Sequence, residues 1–367
     1  MTLSFEYQKE IHLSEIVSDI EYIRLETNDS CLIGSIKQLL KFNNRYYILD
    51  ASVGKKIYMF DEHGNYMKQI DRVGRGPGEY AIPYAIAINQ SENQLIVSDV
   101  MQGKMLAFDV ETFDFIEESF PDIEAQYFCF LNKENDIAWY NTRNIIHKNK
   151  AYPYHIITTK SDGTFINEMI NIGFDTGYIL RPTSPFFQTD SSTLFSHPYQ
   201  GWVYRIFADK AEALLKIDMQ NHPFPTNDDL VRLANNNTFI QLIRKSDFIN
   251  YFETFESDEL YCFTFFATNT YFMALHSKVS KKSIYFPVHV VENNRIKNLI
   301  QDNIGILYFD TPVFCVDNSY YSLIQPAQII ENKENYSGNI HPQLQGIIDN
   351  IKIEDNPVIL KYKLHFR

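Results

Sequence analysis

The chain contains 367 residues, and its hydrophobic content of 45% is sufficient for a large buried core. A formal net charge of −13, with Lys and Arg scattered along the chain, argues against nucleic-acid binding, which requires a basic surface. No run of about 18 apolar residues is present, so we predict no transmembrane segment. The 24 Tyr and 28 Phe residues favour an all-β fold, because aromatic side chains suit pleated, half-buried surfaces.

The N-terminal region predicts one isolated strand. Residues 1–10 contain no positively charged segment followed by an apolar one, so we predict no signal peptide in the sequence as given. Residues 20–25 alternate between apolar and polar side chains and predict a β-strand. No hairpin partner follows directly, so this strand needs a partner elsewhere in the chain.

A unit of two apolar strands joined by a short polar turn then recurs along the chain. Asn, Asp and Ser favour such turns because their side chains bond the local backbone and tolerate positive φ angles. Six of these turns are found, at residues 43–44, 90–93, 132–135, 190–192, 256–258 and 317–319. A second turn follows in most units, at residues 61–64, 109–111, 161–163 and 209–210. Four strands in each unit are typical of a propeller blade.

We therefore predict a single all-β domain over residues 1–367, a six-bladed β-propeller with four-stranded antiparallel blades. The predicted blades cover approximately residues 35–70, 84–118, 127–170, 185–218, 248–290 and 311–366. Helical insertions are predicted near residues 227–251 and 326–352, where apolar residues recur at helical spacing.

The two ends of the chain are predicted to meet. The sixth unit lacks one strand, because only residues 358–366 follow its helical insertion. Residues 20–26 supply an unpaired strand, and a propeller closed in this way has no open strand edge. We expect the N-terminal strand to complete the last blade.

The four cysteines, Cys31, Cys129, Cys262 and Cys315, lie far apart in the sequence, and three of them interrupt apolar runs. We predict buried free thiols rather than disulfides, since buried Cys behaves as a small hydrophobic residue. No zinc-binding spacing of Cys and His is present, and we predict no metal and no cofactor.

The direction of the strands predicts which loops share a face. If each innermost strand runs from top to bottom, the crossovers between blades and the loops between second and third strands emerge on the top face. Mixed charges and aromatic rings there are typical of a recognition surface. The candidate ligand-binding residues are Arg72, Arg75, Glu79, Tyr80, Asp50, Asp99, Arg143, His197, Tyr199 and Trp202.

Several of these residues have a structural alternative. Asp50 and Asp99 are suited to capping their own loops by accepting hydrogen bonds from backbone N–H groups. Arg75 and Glu79 could pair with each other, and His197 could be an ordinary loop histidine. Gly74, Gly76 and Gly78 could form a phosphate-binding loop, but Pro77 lacks an N–H donor and no helix follows, so a crossover is the favoured interpretation.

The first two blades resemble a known repeat. The segments 47–50, 57–61 and 74–80 (Gly-Arg-Gly-Pro-Gly-Glu-Tyr) are similar to the NHL repeat, and the segments 95–99 and 105–109 repeat the pattern. With Leu25-Glu26-Thr27 and Asn356-Pro357-Val358, they resemble a family of six-bladed propellers abundant in Bacteroides-type gut bacteria. The resemblance implies an extracytoplasmic protein of the periplasm or cell surface, with a possible lipid anchor lost with a trimmed leader. A cytoplasmic location is the alternative.

Besides a structural scaffold whose helical insertions around residues 227–251 and 326–352 dock a partner, two functions are compatible with these observations. The first is a non-catalytic binding module that presents its top face to a glycan, peptide or protein partner. The alternative is a metal-dependent hydrolase or lyase, similar to the lactonase-like propellers that hold a metal in the central channel. The predicted inner strands carry mainly Tyr, Phe, Ile and Ala, and the chain contains no GxSxG or HExxH motif, so the binding module is favoured.

Overall fold

The computed structural model describes residues 1–121, 123, 127–131, 135–141, 145–147, 150–173, 185–189, 192–234, 239–293, 295–336 and 338–366. Three strands precede the first blade, namely β1 (Thr2–Ser4), β2 (Glu6–Tyr7) and β3 (Val17–Arg24). A 3-10 turn at Leu13–Glu15 leads into β3.

Strand β3 and the strands that follow it form a six-bladed propeller, as the sequence predicts, and each blade has four antiparallel strands, named in order from the axis outward. Blade 1 contains β4 (Gln38–Phe42), β5 (Arg45–Asp50), β6 (Lys56–Asp61) and β7 (Tyr66–Ile70). Blade 2 contains β8 (Ala85–Asn89), β9 (Gln94–Asp99), β10 (Lys104–Asp109) and β11 (Phe115–Ser119). Blade 3 contains β12 (Tyr127–Leu131), β13 (Asp136–Tyr140), β16 (Tyr154–Thr159) and β17 (Phe165–Asn171), with a separate hairpin of β14 (Ile145–His147) and β15 (Lys150–Tyr152).

The second half of the ring follows the same plan. Blade 4 contains β18 (Phe186–Gln188), β19 (Thr193–Ser196), β20 (Trp202–Ile206) and β21 (Ala211–Asp218). Blade 5 contains β22 (Asn250–Glu256), β23 (Leu260–Ala267), β24 (Thr270–Ser277) and β25 (Ser283–Glu292), with β26 (Arg295–Asn298) added outside β25. Blade 6 contains β27 (Phe314–Val316), β28 (Ser319–Ile324), β29 (Val358–Leu364) and, as its outermost strand, β3.

Polar turns in the described part of the chain close inner hairpins and also join neighbouring blades on the bottom face. The predicted turn residues 132–134 and 190–191 lie outside the described residues. Asn43 and Asn44 have φ angles of +47° and +57°, a left-handed pair that suits a two-residue hairpin turn. Asn318 Nδ2 donates to Asp258 Oδ2 (2.7 Å) between blades 6 and 5. Lys41 Nζ lies 3.4 Å from Asp317 Oδ2 between blades 1 and 6. On this face, turn residues are therefore used to hold the ring together.

The hydrophobic core lies between blades. Leu39 packs in a cluster with residues of blade 6 such as Ile359, whereas Leu40, the next residue of β4, packs against blade 2 residues such as Ile86. Period-2 alternation along each strand thus supplies apolar side chains to both flanking blades. The four cysteines are buried and form no disulfide, which confirms the prediction of free thiols.

Both predicted helical insertions are present. Helices α1 (Asn227–Ala234) and α2 (Phe239–Lys245) lie between blades 4 and 5. Helices α3 (Pro326–Asn335) and α4 (Pro342–Ile348) interrupt blade 6 between β28 and β29. Among the residues described, no helix has the length and apolar character needed to span a bilayer.

The ring closes through the N-terminal strand, as predicted. Strand β3 pairs antiparallel with β29, from Val17 opposite Leu364 to Arg24 opposite Val358. A further feature was not predicted, an N-terminal strap formed by β1 and β2. Strand β1 pairs in parallel with β21 of blade 4, and β2 pairs in parallel with β25 of blade 5. The first 24 residues therefore contact the outer strands of three consecutive blades.

Phe5 anchors the strap, and truncating the Phe5 side chain is expected to destabilise the ring. Phe5 is fully buried and makes an edge-to-face contact with Phe263, their ring centres 5.7 Å apart. We expect Phe5→Ala to lower the free energy of unfolding by about 3–5 kcal/mol, because a buried aromatic side chain is replaced by a cavity. Urea denaturation followed by circular dichroism measures this. The exposed neighbour Glu6 provides the control Glu6→Ala, and equal losses for the two variants would contradict the anchoring role.

Candidate functional site

Two buried carboxylates position the top-face loops of blades 1 and 2. Asp50 ends β5, and its Oδ2 accepts hydrogen bonds from Gly34 N–H (2.8 Å) and Ser35 N–H (3.2 Å) in the crossover that enters blade 1. Its Oδ1 accepts from Val53 N–H (3.0 Å) in its own loop. This confirms the predicted capping role and extends it, since one carboxylate joins a loop to a crossover.

Asp99 repeats this arrangement at the end of β9. Its Oδ2 accepts from Ala81 N–H (2.6 Å) in the crossover from blade 1, and its Oδ1 accepts from Met101 N–H (3.0 Å). Gln102 adds a bond from its side-chain amide to Asp99 Oδ2 (2.7 Å) and another to Gly74 O (3.1 Å). The corresponding residue in blade 3 is Asn141, whose amide donates to Tyr154 O (3.0 Å).

The glycine-rich segment is a crossover folded into a closed loop. Val73 bridges to Tyr80 at the base of this loop, and Gly74 N–H donates to Tyr80 O (2.9 Å). The Tyr80 ring is fully buried, and its hydroxyl lies 3.0 Å from both Lys55 O and Ile70 O. Burial raises the pKa of Tyr80 well above its usual value, so this hydroxyl stays protonated and serves as a structural donor.

The glycines of this loop surround the chain's own carboxylate. Glu79 Oε2 accepts a hydrogen bond from Gly76 N–H (2.8 Å). A β-carbon added to Gly74 would meet the same carboxylate, so the Glu79 side chain would have to move if any other residue stood there. The Gly76 N–H group, which a bound phosphate would use, already donates to Glu79, and this supports the crossover interpretation.

Exposed apolar and cationic side chains gather above these braced loops. We define the top platform as the apolar residues Leu32, Val53, Val73 and Met101 with the cations Lys55, Arg72 and Arg75. The apolar members are 54%, 68%, 50% and 72% exposed, respectively. Arg72 and Arg75 are exposed and Lys55 is partly exposed.

Residues beneath the top platform connect its loops. The Val53 side chain fills the space beside Gly34, 2.4 Å from where a β-carbon on that glycine would lie. The Tyr80 hydroxyl bonds the backbones of both Lys55 and Arg72. The Gln102 amide holds the Met101 loop against the glycine loop that follows Val73. The platform therefore extends over blades 1 and 2 as adjoining loops.

The predicted site residues fall into three groups. Arg72 and Arg75 are exposed, Glu79 is partly buried within its own loop, and Trp202 on blade 4 is 38% exposed. The side chains of Asp50, Asp99, Tyr80, His197 and Tyr199 are buried, which corrects the expectation that they line the surface. Arg143 lies outside the described residues. The structure brings Arg72, Arg75, Glu79, Tyr80 and Asp99 together around one crossover, whereas His197, Tyr199 and Trp202 belong to blade 4.

Sequence reasoning missed the apolar members of the top platform. Val53 and Met101 each follow a capping aspartate in loops that end with Gly and Lys, the segments 50–55 and 99–104. An apolar residue in a short loop with its backbone already bonded has no route into the core. The recurrence of an apolar residue shortly after a capping aspartate was the sequence signal that could have identified these exposed side chains.

The central channel is the second candidate location, with a volume of about 770 Å³. Polar side chains on the inner strands bridge neighbouring blades. Gln38 accepts from Ile86 N–H (2.8 Å) and donates to Ile86 O (3.4 Å), and Gln188 Nε2 donates to Phe130 O (2.7 Å). Within the described ranges, no group of three or more His, Cys, Asp or Glu side chains is arranged to hold a metal ion.

A histidine pair lies at the interface of blades 3 and 4. The rings of His155 and His197 are 4.4 Å apart, and each side chain is almost fully buried. Burial lowers the pKa of His155 to about 4. Burial, with a further contribution from His155, also lowers the pKa of His197 well below its usual value. Both rings are neutral at pH 7, and the pair packs in the fold with Tyr140.

Comparison with known proteins supports the fold. A family model described as "Domain of unknown function (DUF4934)" matches residues 2–363. A presumptive exported protein of Bacteroides fragilis has a similar crystal structure, with a TM-score of 0.87, 19% identity and coverage of 100% of both chains. A DUF4221-family member from Bacteroides vulgatus is similar with a TM-score of 0.56 and 10% identity, over 96% of this chain and 99% of that one. No curated protein matches the chain in sequence.

Asp99 provides a test of the loop bracing. We expect Asp99→Ala to lower the free energy of unfolding by about 3 kcal/mol, because the partly buried backbone N–H groups of Ala81, Met101 and Gln102 lose their acceptor. Chemical denaturation measures the loss. The exposed Asp114 in the same blade gives the control Asp114→Ala, with an expected change within about 0.5 kcal/mol. A loss in the Asp99 variant no larger than the control's would contradict the bracing.

The histidine pair predicts reduced stability in acid. His155 has a lowered pKa in the folded protein, so the unfolded chain binds more protons between its ordinary pKa of about 6.5 and about 4. Stability from this group is present above about pH 6.5 and is lost as the pH falls. We expect the free energy of unfolding to fall by about 2 kcal/mol more between pH 7 and pH 5 in the wild type than in His155→Phe. Urea titrations at each pH test this, with exposed His63→Phe expected to retain the wild-type slope.

Proposed function

The chain belongs to the DUF4934 family, a domain of unknown function, and we propose that it is a non-catalytic binding module whose top face recognises a glycan, a peptide or a protein partner. The proposal rests on a contrast between the two faces of the propeller. On the bottom face, turn residues bond to turns of the next blade, as Asn318 does to Asp258 and Lys41 to Asp317. On the top face, the platform cations and apolar side chains remain exposed.

The observation that carries the proposal is the bracing of these exposed groups. Each platform loop is tied to a buried carboxylate or hydroxyl, namely those of Asp50, Asp99 and Tyr80. A surface held in one conformation loses little conformational entropy when a partner binds, and this favours affinity. Exposed apolar side chains on a rigid surface are typical of interaction sites.

The similarity to an exported Bacteroides protein supports, as part of the same proposal, a location outside the cytoplasm. The likeness of blades 1 and 2 to the NHL repeat remains a prediction. No group of residues in the described part of the chain favours the alternative of a metal-dependent hydrolase or lyase.

The proposed function is tested with two double variants, each of which reverses two charges on one face of the propeller. The double variant Arg72→Glu/Arg75→Glu alters the top face, and Lys281→Glu/Lys282→Glu makes the same change in the exposed turn between β24 and β25. Both proteins and the wild type are applied to an unbiased random-peptide display library and to a glycan array. We expect selected peptides or glycans that bind the wild type and the Lys281/Lys282 variant but not the Arg72/Arg75 variant.

The variants must retain the wild-type fold, which circular dichroism and thermal unfolding establish. Binding that survives the top-face change and is lost in the Lys281/Lys282 variant would contradict the proposal. So would the absence of any binder in both libraries.

A further inference from the structure

We propose that the top platform binds an acidic segment of a partner protein through both its carboxylates and its apolar side chains. This inference rests on the proposed function and specifies the chemistry of the partner. It joins two observations on adjoining loops of blades 1 and 2: exposed apolar residues, and cations that form no ion pair with any residue the structure describes.

The apolar half of the site consists of Leu32, Val53, Val73 and Met101. Each is at least half exposed, although the chain has a large core in which apolar side chains could be buried. Capping bonds to Asp50 and Asp99 fix the backbones at Val53 and Met101, so these side chains cannot turn inward. Contact with apolar groups of a partner would remove them from water, and methionine suits such surfaces because its side chain adapts to different shapes.

The cationic half consists of Arg72, Arg75 and Lys55. Other cations close to these loops are already paired, since Lys56 Nζ lies 3.0 Å from Asp71 and Lys104 Nζ lies 3.1 Å from Glu118. In the residue ranges that the structure describes, Lys55, Arg72 and Arg75 form no ion pair. Glu79, the acidic residue of the same loop, is held by Gly76 N–H. These three cations are thus available to pair with carboxylates of a partner.

The net negative charge of the whole protein favours the approach of an acidic partner at the platform cations rather than elsewhere on the surface. A chain with a net charge of −13 repels acidic partners over most of its surface. An acidic segment would therefore be directed toward the two arginines at the platform. Arginine also forms paired hydrogen bonds with carboxylates, and it is frequent at the energetic centres of interfaces.

Other occupants fit the platform less well. Carbohydrate and single-stranded nucleic acid are commonly bound on aromatic faces, and the seven platform residues include no aromatic ring. An anionic membrane is attracted by clusters of about four to eight cations, more than the platform has. A protein segment that alternates acidic and apolar side chains uses both kinds of platform residue.

The partner chemistry is tested with three peptide display pools that differ in composition. One pool is rich in Asp, Glu and Leu, a second replaces the apolar residues by Ser, and a third replaces the acidic residues by Lys. We expect enrichment by the full-length protein at least about tenfold higher from the acidic apolar pool than from the other two. For the enriched peptides, fluorescence anisotropy should give a Kd about fivefold weaker for Arg72→Ala and about tenfold weaker for Met101→Ser. Raising NaCl from about 50 to about 300 mM should weaken binding further.

Matched controls lie in the turn between β24 and β25. Val279 is 76% exposed and Lys281 is exposed nearby, so Val279→Ser and Lys281→Ala repeat the same chemical changes away from the platform. These controls should leave the Kd unchanged. Vesicles of phosphatidylserine and phosphatidylcholine at a ratio of about 3:7 provide the competing membrane probe.

The outcomes separate this inference from the proposed function. Peptides that need the platform but come equally from all three pools, or bind independently of salt, overturn the acidic partner and leave a binding module. Stronger binding to anionic vesicles than to any pool also overturns it. Peptides unaffected by every platform variant overturn both proposals.

Discussion

Pairing between the two ends of the chain is the constraint on which the rest of the propeller depends. Each blade packs its apolar side chains against both neighbours, so a gap anywhere in the ring would expose two core surfaces. Strand β3 fills the outermost position of blade 6 and removes that gap by antiparallel pairing with β29. The N-terminal strap then covers the outer edges of blades 4 and 5, where Leu3 and Phe5 are buried. The same N-terminal segment therefore closes the ring and covers the strand edges of the two neighbouring blades.

In a closed ring, the loops are where residues are available to bind a partner. The loops of the two faces differ in what their hydrogen bonds connect. Bottom turns are used for contacts between blades, and top loops are braced from below by the buried carboxylates of Asp50 and Asp99. Because the braces satisfy the loop backbones, the side chains above them are available to a partner. The same bonds explain why two aspartates and a tyrosine that looked like surface groups are structural.

The fold could be predicted from the sequence because its signals are local. Turns such as 43–44 and 317–318 need residues that tolerate positive φ, and Asn and Asp occupy them. The single strands at residues 17–24 and 358–364 could be matched because each lacked a nearby partner. The strap could not be predicted, since β1 and β2 contain three and two residues and pair with strands more than 200 positions away. Arg72 and Arg75 were identified as exposed, but the burial of Tyr80 depends on contacts with Lys55 and Ile70 that sequence order does not reveal.

Joining β3 to β29 also has a consequence for how the protein is made. Strand β3 pairs with β29, about 340 residues later, so all six blades must be synthesised before the ring can close. Until then, the growing chain is an open arc with exposed blade surfaces, the kind of intermediate that aggregates or engages chaperones. The emergence of β29 from the ribosome, or from a translocation pore if the protein is exported, is thus the event that permits the ring to close.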